Sequence, residues 1–323
     1  MKMLRLVAKG TTVLGLCFFL SGFSTPENVE CIAPSPPGGG WDFTCRSVGR
    51  LLHELGHVTN TIRVNNVPGA AGAVAFSHVI ANRSEDPNLL VATSAISGFQ
   101  LAQGKYAAGV DAVRWLAVVG ADVGVVMVNK DSKLKTLADL IATLKADPAS
   151  ISNGAGIYDH LRLLSVAKKG GIGDADLKKI RMVHYDGCGE SIPAVLGGHV
   201  DVTTCDLGEV KGFVESGDVR VLAVLGDERP AAPFDMLPTA KEQGIDVVGY
   251  NWRGFYVGGG VSDDVYNGWL EIIKKVYDSP EWQTILKEHG LMPLWIGGAD
   301  FDTFFRKSVE DMRELSKTVG VNQ

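Results

Sequence analysis

The chain commits itself at Pro36-Pro37-Gly38-Gly39-Gly40-Trp41-Asp42. This stretch follows a short apolar strand candidate, Cys31-Ile32-Ala33. It leads into a helix candidate whose Val48, Leu51, Leu52 and Leu55 recur at three-and-four spacing, with Gly56 at its end. Three successive glycines carry no Cβ, so their N–H groups can come close to another molecule. The first turn of the helix presents unpaired amides and the positive end of its dipole to the same spot. The expectation is an anion site, with Asp42 as the helix N-cap. A tight turn alone would need one glycine rather than three.

What precedes this stretch reads as a signal peptide over residues 1–24. Lys2, Arg5 and Lys9 form a basic start, Val13 to Leu20 an apolar run, and Gly22 and Ser24 a small-residue cleavage spacing. Loss of these three cations moves the formal charge from −6 to about −9, which disfavours nucleic acid or an anionic membrane as partner. The predicted location is the periplasm, and the expected state is monomeric. Beyond the leader four cysteines remain, and in an exported chain an even number favours disulfides with three possible connectivities. Cys31 and Cys45 sit on a strand and the helix that follows it, and Cys188 and Cys205 are related in the same way. That placement favours Cys31–Cys45 and Cys188–Cys205 over the other pairings or over free buried thiols.

The remaining chain is long for one core. Strands predicted at Thr61–Val64, Leu89–Thr93, Val123–Val128, Ile151–Asn153, Ile180–His184, Val200–Thr203, Val219–Leu225 and Phe255–Val257 alternate with helices. Thr136-Leu137-Ala138-Asp139 forms a capping box. This grammar predicts parallel α/β sheets covered on both faces. It restarts near residue 128 and ends in three helices after residue 250. Two lobes follow, 25–126 with 252–323 and 127–251, joined by two crossover strands. Ligands of such sheets bind beyond the carboxyl ends of the strands, where the glycine-bearing turns fall.

Several motifs compete. His53-Glu54-Leu55-Gly56-His57 satisfies the zinc-peptidase pattern H-E-x-x-H, which would make the chain an exported zinc hydrolase. Three features oppose it: the histidines fall opposite the apolar stripe, Gly56 stops the helix, and no third ligand follows. No metal site is therefore expected. No nucleophile elbow, phosphate loop or complete dinucleotide fingerprint occurs, so neither catalysis nor a cofactor is expected. Pro68-Gly69-Ala70-Ala71-Gly72 reads as a turn or an anion cradle. Ser94 and Ser97 can donate to a ligand or cap a turn. Glu190 sits at a helix start, and His160 and Asp206 lie at strand-to-helix junctions. Few cations occupy these loops, so recognition is expected to rest on amides.

Taken in order, Ile32 to Asp42, Val64-Asn65-Asn66-Val67-Pro68-Gly69-Ala70-Ala71-Gly72, Lys135 to Leu140, Leu196-Gly197-Gly198-His199-Val200-Asp201-Val202 and Val219 to Val224 carry a resemblance. They resemble the solute-binding receptors of tripartite tricarboxylate transporters, also called Bug proteins. The resemblance implies a type II periplasmic-binding-protein fold, with a cleft closing on one small carboxylate. It implies delivery to a membrane permease of one large and one small subunit. Carried over residue by residue, it points to Gly38, Gly39, Gly40, Trp41, Asp42 and Phe43, and to Ser94, Ala95, Ile96 and Ser97. From the other lobe it points to Asn153, Gly154, Ala155, His160, Tyr185, Gly187, Glu190 and Asp206. Citrate is the ligand it suggests. Alanine stands where the family often has glycine at Ala70-Ala71, and Asn66-Val67 replaces a common Asn-Arg.

Overall fold

Successive residues of a strand face opposite ways, so a strand buried along its whole length must be covered on both sides. In the computed structural model, which describes residues 26–185 and 187–320, the first strand β1 (Glu30–Ala33) is of this kind. There follow α1 (Gly40–Glu54), β2 (Arg63–Asn66), α2 (Ala73–Asn82), β3 (Leu89–Ser94) and α3 (Ala95–Ala102). The long strand β4 (Val113–Asn129) leads to α4 (Leu137–Ala146), β5 (Ser152–Ala155), α5 (Ile157–Lys169) and the short α6 (Asp174–Leu177). Next come β6 (Arg181–His184), α7 (Cys188–Leu196), β7 (Thr203–Asp206), α8 (Leu207–Glu215) and β8 (Val219–Val224). The chain finishes with β9 (Tyr250–Gly258), α9 (Asp263–Asp278), α10 (Pro280–Glu288), β10 (Ile296–Gly297) and α11 (Ala299–Val319).

The first lobe is built on the order β10-β4-β9-β3-β1-β2. Cys31, Ala33, Leu90 and Ala92 face one core with α1, α9 and α10. Their neighbours Ile32, Leu89 and Val91 face another core with α2, α3 and α11. In the second lobe Val126, Val128 and Leu222 pack on α4 and α5. Val125, Met127 and Val221 pack on α7 and α8. Each lobe is thus a sheet between two helical layers.

The sheets are mixed rather than wholly parallel. Parallel pairing holds for β1 with β2 and β3, and for β5 with β6. Strand β9 runs antiparallel between β3 and β4. The chain passes between lobes twice, and a strand that returns must enter its sheet against the direction of those already there. Strand β4 pairs with β9 from Val113 to Val123, then with β7 and β8 from Gly124 to Asn129. The expected strand Val123–Val128 is only its second half. Gly120, Asp122 and Gly124 break the apolar run that would have marked the rest.

The expected strands Thr61–Val64 and Val200–Thr203 lie two and three residues later, at Arg63–Asn66 and Thr203–Asp206. Thr136 and Asp139 form the expected capping box on α4. Both favoured cysteine pairs are bonded, Cys31–Cys45 with Cα atoms 5.7 Å apart and Cys188–Cys205 at 5.8 Å. The signal-peptide expectation lies outside the described residues.

Candidate functional site

The carboxyl ends of β1, β3, β5 and β7 point their loops toward the junction of the two lobes, and β4 and β9 pass through it. On the first lobe the N-cap of α1 is Gly39, not Asp42, and Asp42 stands as the third helical residue. A glycine N-cap offers no side-chain acceptor, so Asp42 turns back to do that work from inside the helix. It accepts from the Gly38 N–H at 2.9 Å, from Arg46 Nε at 2.9 and 3.0 Å, and from Asn66 Nδ2 at 2.9 Å. The Arg46 bond is the largest influence holding the Asp42 carboxyl down at about 2. Asp42 therefore locks the Gly38 turn, whose φ of 84° suits glycine.

Gly40 has a different neighbour. A Cβ there would lie 2.0 Å from Arg253 Nη1 and 2.9 Å from its Cζ. The missing side chain is what lets a guanidinium rest on the first residue of α1. Arg253 comes from the crossover strand β9, and its Nε is buried without a partner. A cation thus reaches the glycine-bearing turn from a strand rather than from the loops themselves. Trp41 is also buried with an unpartnered Nε1, its ring against Gly72. In the loop between β2 and α2, Ala70 (φ 46°) and Ala71 (φ 49°) are held left-handed, and Tyr106 Oη donates to the Ala71 carbonyl at 3.0 Å. Such angles strain a residue with a Cβ. Phe43 turns away and packs on His289, with ring centroids 4.4 Å apart.

Ser94 caps α3 by accepting from Ile96 N–H at 3.3 Å, and Ser97 accepts from Thr93 Oγ1 at 2.9 Å. Ala95 is buried and Ile96 half-buried. On the second lobe Gly154 and Ala155 belong to β5 rather than to a turn, and the Tyr185 ring lies against Gly154. Asn153 Nδ2 is 3.0 Å from His160 Nδ1, while its Oδ1 is buried and unpartnered. Burial lowers the His160 imidazole to about 4, so it is neutral at ordinary pH. Gly187 is the N-cap of α7, and Glu190 lies exposed in its first turn.

Asp206 is where the lobes meet. It pairs with Arg162 Nη2 at 2.7 Å and accepts from Asn251 Nδ2 at 2.7 Å. Asn251 is opposite Asp122 in the β4–β9 register. Asp122 accepts from the Gly208 N–H at 3.2 Å and lies 3.9 Å from Arg253 Nη2. A continuous polar run therefore leads from Gly40 through Arg253, Asp122, Asn251 and Asp206 to Arg162 and Asp159. Sequence reading missed most of it. The available signals were Asp122, a lone charge in an apolar run, and the Asp159/Arg162 pair at three-residue spacing.

The hydrolase motif does not assemble. Helix α1 ends at Glu54 with Leu55 as its C-cap, so His57 lies outside the helix that would have stacked it on His53. Arg50 Nη1 donates to Glu54 at 3.0 Å. A hollow of about 450 Å³, lined by Leu101, Tyr106, Val110, Arg306 and Arg313, lies between α3 and α11, away from the strand ends.

The family model for the tripartite tricarboxylate transporter family receptor matches residues 51–321. The chain belongs to that family. A UPF0065 protein of Cupriavidus necator is 27% identical over 300 residues, covering 88% of this chain and 85% of its own. A solute-binding protein of the family from Polaromonas superposes with a TM-score of 0.76 at 24% identity, covering 91% of this chain and 99% of that one. A Rhodopseudomonas palustris protein solved with adipate superposes at 0.69 and 20% identity, covering 91% and 97%. The fold is thus that of the periplasmic receptors, two α/β lobes with a cleft between them. The receptor is a binding protein and not an enzyme.

Proposed function

We propose that the receptor captures a small di- or tricarboxylate between lobe 1 (25–126 and 252–323) and lobe 2 (127–251), and hands it to a membrane permease of one large and one small subunit. The observation that carries this reading is the Arg253 guanidinium seated on Gly40 at the start of α1. A helix N-terminus and an arginine converge there, and both stabilise a carboxylate. Adipate in the R. palustris relative supports the same class. Gly38 to Asp42 and Ser94 to Ser97 would contribute amides and hydroxyls from lobe 1. Asn153 to Ala155, His160, Tyr185, Gly187, Glu190 and Asp206 would close from lobe 2. Citrate, the compound the family resemblance points to, heads the list to be tested.

Residues 1–24 act in this reading as the export signal, and the receptor works in the periplasm as a monomer. A thermal-shift screen over citrate, tricarballylate, malate, adipate and glutamate tests it. An acid present at a hundred times its Kd stabilises the fold by about 2.7 kcal/mol, a shift the assay resolves. No shift with any of these acids would overturn the reading.

A further inference from the structure

Strand β6 stands apart from its neighbours. Arg181, Met182, Val183 and His184 are all exposed, whereas β1, β3, β5 and β7 are buried along their whole length. Among the described residues β6 pairs with β5 alone, while β5 meets Val202 on its other side. Alternate residues of β6 therefore turn their N–H and C=O groups outward with no ladder partner. Two of the five exposed large apolar side chains among the described residues, Met182 and Val183, are neighbours here, 36% and 39% exposed. Side chains alternate across a strand, so Arg181 and Val183 share one face, and Met182 and His184 the other.

This edge is also cationic in an acidic protein. From 178 to 184 the chain carries Lys178, Lys179 and Arg181 and no carboxylate, within a sequence of formal charge −6. Lys179 pairs with Asp176 at 2.8 Å, but Lys178 and Arg181 have no ion-pair partner among the described residues. Cations on an edge discourage it from pairing with a second copy of the same edge, where Lys178 and Arg181 would meet their own kind. A lipid surface would match the charge, yet its headgroups offer no ladder of donors and acceptors to the backbone. An acidic strand answers the charge, the apolar side chains and the backbone together.

We propose that β6 is a docking edge for an extended, acidic segment of a partner protein, which joins the second lobe as one more strand. The side-chain order of β6 sets the pattern it accepts. Opposite Arg181, Met182, Val183 and His184 the segment presents acid, apolar, apolar, acid, an order that reads the same in either chain direction. A further acid beyond Arg181 reaches toward Lys178. The carboxyl end of β6 runs directly into Tyr185, whose N–H donates to the Ala155 carbonyl at 3.2 Å and whose ring lies on Gly154. A docked segment therefore lies next to a loop of the candidate cleft, and the proposal holds whatever acid that cleft takes.

The test is fluorescence anisotropy on the intact receptor with a labelled, N-acetylated peptide, Glu-Glu-Val-Val-Glu-Glu. It is expected to bind at low salt, to weaken as salt screens the charges, and to slow amide hydrogen exchange in β6. Lys178→Glu with Arg181→Glu, at exposed positions that leave the core intact, should weaken it tenfold or more with urea unfolding unchanged. Methylating the two valine nitrogens removes backbone donors and no charge, and should also cost tenfold or more. Equal binding of Lys-Lys-Val-Val-Lys-Lys, or of the methylated peptide, overturns the added strand, and undiminished binding to the charge-reversed receptor overturns its place on β6. If the acidic peptide does not bind, whether or not phosphatidylglycerol vesicles do, the whole proposal falls.

Discussion

Gly40→Ala separates binding from folding. The added methyl would sit 2.0 Å from Arg253 Nη1, where ordinary contact is about 3.5 Å, so the guanidinium must retreat by about 1.5 Å. It is the far end of a flexible side chain, so the fold accommodates the change. Alanine is also the better helix former. Stability should therefore stay within about 1 kcal/mol of the parent. The carboxylate cradle loses more. A retreat of that size breaks a charge-assisted hydrogen bond, which contributes about 1.5–3 kcal/mol. With tenfold in affinity per 1.4 kcal/mol, Kd should rise about 10- to 100-fold. Urea unfolding and calorimetry with the best acid from the thermal-shift screen, run on parent and variant, read the two quantities separately. A variant that binds within twofold of the parent would refute the placement of the carboxylate at Gly40. One that unfolds early would refute the claim that the arginine yields freely.

Removing either disulfide should lower stability by about 3 kcal/mol, since the closed loops span 14 and 17 residues; Cys31→Ser/Cys45→Ser in urea checks it. Trp282 is fully buried and its Nε1 donates to the Val119 carbonyl at 2.7 Å, so Trp282→Ala should cost about 3–5 kcal/mol in the same assay. His160 has its proton affinity depressed by burial, from 6.5 to about 4. Above 6.5 neither state binds this proton; below it the unfolded chain does and the folded one does not. Stability should thus fall as pH drops from about 6.5 toward 4, by on the order of 2 kcal/mol between pH 7 and 5, and His160→Gln should lose that slope. Metal analysis should find no stoichiometric zinc, and His53→Ala should bind acids as the parent does; tightly held zinc lost in that variant would revive the hydrolase.

Local chemistry was the legible part of this sequence. The capping box at Thr136 and the helix stop near Gly56 depend on neighbours a few residues apart, and the cysteine pairs close loops of 14 and 17 residues between adjacent elements, although the second runs from helix α7 to the following strand rather than from strand to helix. The glycine triplet signalled a backbone approached closely, but not by what. Its neighbour Arg253 arrives from more than two hundred residues away, through a strand pairing that no local pattern encodes. Asp42 misled for a related reason. It has the right chemistry for an N-cap, yet Asn66 and Arg46 draw it into the first turn instead. Likewise β4 was half seen, because glycines and Asp122 at the crossing interrupt the alternation that identifies a strand.

The unbroken run of β4 bears on how the molecule comes apart. Its hydrogen-bond ladder passes from one sheet to the other without a linker, and Met312 and Leu315 of α11 pack on the second lobe's core from the first. Melting either half would strip a partner strand from the other and bare a raw edge. The two halves should therefore denature in one calorimetric peak, as a single cooperative unit, although they look like separable bodies.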